Sequence, residues 1–85
     1  MEVTRDIICF SLDTEEEVFF RNIDPISLAN LKEIFHPDAD DPLMYYVYGI
    51  NAREAEQLNK ILKDKIEFDF EKCSYELHCH SVPGT

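Results

Sequence analysis

HPDADDPLMYYVYGIN, residues 36–51, decides the fold, because three local instructions meet in it. Residues 37–42 lie between two prolines and hold Asp38, Asp40 and Asp41, the composition of a connection rather than of a regular element. Residues 43–50 then alternate, with Met44, Tyr46, Tyr48 and Ile50 on one side and Tyr45 and Val47 on the other, the two-residue period of a strand. Asn51 stands three residues before Glu54, the spacing of a capping box in which Asn replaces the usual Ser or Thr. The stretch therefore predicts loop, strand and helix start in succession.

Upstream, DPISLANLKEIF reads as a helix beginning at Pro25, with Asp24 accepting from its free amides and Leu28, Leu31, Ile34 and Phe35 as its apolar stripe. Pro37 ends it, because the residue before a proline avoids the helical basin. Residues 3–12 and 17–23 are rich in β-branched and aromatic side chains on either side of a polar turn, which predicts a hairpin. Ile7 and Cys9 point to one face of it, and Ile8, Phe10 and Leu12 to the other. Both faces ask for cover, yet only two helices follow. The second face is left to a partner, a second copy or long neighbouring side chains.

Downstream, NAREAEQLNKILKD predicts a helix with Ala55, Leu58, Ile61 and Leu62 facing the core. Lys60, Lys63 and Lys65 gather near its end, where the helix dipole favours cations. Residues 74–80 predict a strand with Tyr75, Leu77 and Cys79 inward and Glu76, His78 and His80 outward. The whole is expected to be one α+β domain over residues 1–80, order ββαβαβ. It comprises a small, largely antiparallel sheet with two helices on one face, followed by a flexible tail at residues 81–85.

The 18 acids and 8 bases give a formal charge of −10, which repels phosphate backbones and attracts basic partners. No direct binding of nucleic acid is expected on this ground. The charge is uneven, since residues 50–85 hold seven of the acids but five of the bases. Cys9, Cys73 and Cys79 match no disulfide framework, and no segment reads as a signal peptide or reaches the ~20 apolar residues of a membrane span. A reduced, cytoplasmic protein without membrane contact is expected.

Chemistry has thin support. His78 and His80 share a strand face and could recruit Cys73 or His36 to zinc, but the spacing fits no finger or ribbon, and two solvent-side histidines are the plainer reading. Asp38 and Asp40 have calcium-loop spacing, yet Pro42 takes the next ligand position and no glutamate closes the loop. Cys9 and Cys73 have no histidine base nearby in the sequence, and Cys79 lies on the inward side of its strand with its flanking histidines pointing away, so neither an enzyme nor a cofactor is expected. The remaining functional reading is a partner-binding surface of Asp38, Asp40, Asp41 and Tyr45, an acidic finger with an aromatic anchor.

The segments IDPISLANLKEIF, DDPLMYYVYGINAREAEQL and FDFEKCSYELHC resemble small acidic bacterial immunity proteins of polymorphic-toxin and contact-dependent growth-inhibition systems, over residues 3–80. The resemblance implies an inhibitor that binds a cognate toxin domain, often a nuclease with a basic cleft, and occludes its active site. It transfers no site residue. The competing reading is an adaptor module that homodimerises through the open sheet face.

Overall fold

The structure, a computed structural model, describes residues 2–82. Six elements follow in the order β1 (Val3–Ser11), β2 (Glu17–Asn22), α1 (Leu28–Phe35), β3 (Tyr48–Ile50), α2 (Ala52–Ile61) and β4 (Cys73–Ser81). The strands form one antiparallel sheet in the order β2-β1-β4-β3, so the α+β fold and the ββαβαβ order are as the sequence predicts. The long strands β1 and β4 pair from Val3 opposite Ser81 to Ser11 opposite Cys73, and form the centre.

Register fixes the two faces. Ile7 lies opposite Leu77 and Cys9 opposite Tyr75, and partners across an antiparallel pair share a face. These four join Leu31 and Ile34 of α1, Ala55 and Leu58 of α2, and Ile50 of β3 in a single core. Both helices therefore cover the same face. On the other, Ile8 retains only 8% exposure beneath its neighbours, whereas Phe20, its partner on β2, is 62% exposed. Cover by long neighbouring side chains thus suffices at the sheet centre and fails at its edge.

The helix starts show how local hydrogen bonding competes for the same groups. Asn51 caps α2 as predicted: its side chain accepts from Arg53 N and Glu54 N, while Glu54 returns a bond to Asn51 N. The α1 prediction requires correction, because the cap is Ser27 rather than Asp24. Asp24 accepts instead from the Thr4 hydroxyl and the Arg5 amide, both at 2.8 Å, tying the loop after β2 to the start of β1. A carboxylate already bonded to a neighbouring strand is not available to cap a helix, and the helix begins three residues later than Pro25. At the other end, His36 adopts φ 49° and donates its amide to Lys32 O, one residue before Pro37.

The strand predicted over residues 43–50 also requires correction, since only Tyr48–Ile50 pairs. Met44 is buried at φ 54°, a left-handed conformation that breaks an extended run, and the amides of Tyr45 and Tyr46 bond to Asp41 instead of a strand. Tyr46, expected on the inward side with Met44, is 55% exposed. At the chain end, β4 continues to Ser81, and the Val82 amide donates to Glu2 O, so the first two residues of the expected tail are ordered against β1. The rest of that tail, residues 83–85, lies outside the described residues. Among the described residues no helix is long and apolar enough to cross a membrane.

Candidate functional site

The loop between α1 and β3 is built around one carboxylate. Asp41 is only 3% exposed. Its Oδ1 accepts from Tyr45 N at 2.8 Å, and its Oδ2 accepts from Tyr46 N at 3.1 Å and from the Tyr48 hydroxyl. The Met44 amide donates to Asp41 O, and Asp41 N donates to Asp38 O, so two successive turns close on this residue. From β1, Arg5 Nη2 donates to Leu43 O at 2.6 Å and anchors the loop to the sheet. A buried carboxylate is tolerated because its lone pairs are met by donors and a cation stands nearby.

The titration behaviour follows from this geometry. Burial by itself pushes the Asp41 carboxyl up, but the Tyr48 hydroxyl, the two amides and the Arg5 charge outweigh it and hold the group below the ordinary carboxylate value. Tyr48 moves the opposite way: burial, its bond to Asp41 and the charges of Asp41, Asp38 and Asp40 push its hydroxyl well up. Asp24 behaves like Asp41, with burial overcome by the Arg5 amide, the Thr4 hydroxyl, Asn22 and the Arg5 charge.

The structure divides the four predicted site residues. Asp38, Asp40 and Tyr45 are exposed, while Asp41 is internal and already bonded. Sequence reading missed Leu43, Tyr46 and Val47, which are also exposed beside Tyr45. Alternation had assigned Tyr46 inward; the signal against a strand was the DDP sequence, whose aspartates compete for nearby amides. The loop thus presents four apolar or aromatic side chains next to two free-standing carboxylates, on a backbone fixed from within by Asp41. Such a surface can anchor an apolar partner group and pair with cations at its rim.

The other sequence candidates are not brought together. His78 and His80 lie on the open face, with His78 Nε2 2.8 Å from Glu76 Oε1 and His80 Nε2 3.5 Å from Asp6 Oδ2. Among the described residues no three His, Cys, Asp or Glu side chains are grouped as a metal requires. Cys9 is buried in the core, where desolvation, the Cys73 thiol and the Cys73 charge push its pKa to about 11 against a lowering contact from Tyr75. It is a poor nucleophile there. Burial also raises Cys79.

Fold and site together define a small two-layer α+β domain whose loop over residues 36–47 is fixed from within by Asp41. The chain belongs to the DUF7683 family, described as a domain of unknown function, whose model matches residues 4–78. Neither a curated protein nor a solved structure matches it.

Proposed function

We propose that this chain is an immunity protein that binds a cognate toxin domain, a basic protein with nuclease chemistry, and occludes its active site in the cytoplasm without catalysis of its own. The observation that carries the reading is the internal Asp41, which fixes a loop bearing Asp38, Asp40 and Tyr45 before any partner arrives. A prearranged loop loses less entropy on binding than a mobile one. The −10 charge steers a basic partner, and the resemblance of the three segments quoted above to immunity proteins supplies the partner class.

The test is co-expression with the product of the adjacent upstream gene. Copurification and rescue of growth are expected, with an association rate that slows markedly as salt rises. Replacing both Asp38 and Asp40 by asparagine should slow association and flatten its salt dependence while the melting temperature stays unchanged. Tyr45→Ala should mainly speed dissociation. Unaltered protection of toxin-producing cells by all three substitutions would sink the loop assignment.

A second reading has one observation in its favour, the exposure of Phe20 and Val18 on β2. In it the chain is an adaptor that homodimerises through the open face. Sedimentation separates the two: a stable dimer at micromolar concentration, with no avid basic partner, favours the adaptor.

A further inference from the structure

We propose that the cavity between β2 and the C-terminal end of α2 is a binding site for a small organic anion with an apolar body, a medium-chain monocarboxylate. Its volume is about 340 Å³, at the low end of the ~300–1,000 Å³ typical of small-molecule sites. Ile23, Ile26, Ile61 and Leu62 supply the apolar lining. Ile61 explains itself here: the α2 stripe predicts it in the core, yet it is 43% exposed because it faces this cavity. The helix-side face of β2 lies beyond the cover of the helices, so its end forms one wall.

Charge selects the ligand. In a chain with 8 bases against 18 acids, Arg21 and Lys63 both border this one cavity, and Lys60 and Lys65 lie close to it in sequence. Asn30 adds an amide donor, while the Asn22 amide is committed to Thr4 and Asp6. Two groups oppose an anion, the Asp64 side chain and the negative end of the α2 dipole. The carboxylate is therefore placed at the Arg21 and Lys63 side, with the hydrocarbon directed toward Ile23 and Ile26.

The walls are fixed rather than loose. Arg21 Nη1 donates to Asp64 O at 3.0 Å, bridging β2 to the segment after α2. Asn59 clamps the same segment from the helix, donating to Ile66 O at 2.8 Å and accepting from Ile66 N at 2.9 Å. Arg21 spends one N–H of its five on this bridge, which leaves the guanidinium able to meet a carboxylate.

The experiment is a ¹H–¹⁵N titration of the full chain with octanoate kept below its micellar concentration, run in parallel with 1-octanol. Saturable shifts confined to the amides of Ile23, Ile26 and residues 61–64 are expected, with octanol binding at least about tenfold more weakly, ~1.4 kcal/mol. Lys63→Gln, a substitution at an exposed position, should weaken octanoate several-fold, and adding Arg21→Gln should weaken it further. Three results overturn the proposal: no saturable shift, shifts centred on Phe20 of the open face, or octanoate affinity equalled by octanol or unchanged by Lys63→Gln.

Discussion

Two connections with three acids each, the loop over residues 36–47 and the turn over residues 12–16, have opposite constructions. Each contains a non-glycine residue at positive φ, Met44 at 54° and Glu15 at 62°. In the loop a carboxylate turns inward and takes the backbone amides. In the turn hydroxyls do this work: Ser11 Oγ accepts from Asp13 N and Thr14 N, and Thr14 Oγ1 accepts from Glu16 N. The glutamates of the turn stay in solvent. Acidity by itself therefore says little about what a segment does; the informative question is which acceptors the local amides choose.

That contrast can be broken most forcefully at two of the positive-φ residues, Met44 and Glu15. Met44→Gly removes a buried side chain and should cost about 2–5 kcal/mol of stability in urea unfolding, although glycine suits its backbone. Asp41→Asn comes next. It leaves one acceptor oxygen where two carboxylate oxygens served three donors, and should lower stability by more than any other single carboxylate substitution in either segment.

The same variant sharpens the pH dependence. Because the folded Asp41 and Asp24 carboxyls lie below their unfolded values, their contribution is complete above about pH 4 and is lost as pH falls toward the folded values. Urea midpoints measured from neutral pH downward should fall for the parent chain and fall less steeply for Asp41→Asn, with Asp24 retaining part of the slope. An identical slope in both would assign acid sensitivity elsewhere.

In the turn, the sign reverses. Glu15→Gly should raise stability by up to about 1 kcal/mol, because glycine relieves the left-handed conformation and no buried side chain is lost. The smallest effect belongs to Asp13→Asn and Glu16→Gln, each expected within about 0.5 kcal/mol of the parent by thermal unfolding. A loss as large as that of Asp41→Asn at either position would erase the distinction between the two segments.

Much of the fold was legible because its signals are local. The hairpin, the α2 capping box, the Leu31 and Ile34 side of α1 and the inward Tyr75 and Leu77 of β4 depend on periodicity and on contacts a few residues apart. The misreadings share a cause. Asp24 looked like a cap and Asp41 like a surface charge, and each is bound to donors that a linear reading does not rank: Thr4 and Arg5 for one, Tyr45, Tyr46 and Tyr48 for the other. Of the candidate site, Asp38, Asp40 and Tyr45 were accessible to sequence reasoning. Leu43, Tyr46 and Val47 were not, because alternation describes a strand that the loop does not form.

By itself the sequence determined the element types, their order, the antiparallel character of the sheet and the strongly acidic field, since propensity, period and charge are properties of short segments. Only the tertiary structure decided which of three neighbouring aspartates is internal, which face of the sheet is covered, and that Arg21 and Lys63 border one cavity. Those outcomes depend on competition between acceptors for the same amides and on contacts between residues tens of positions apart, which no local pattern ranks.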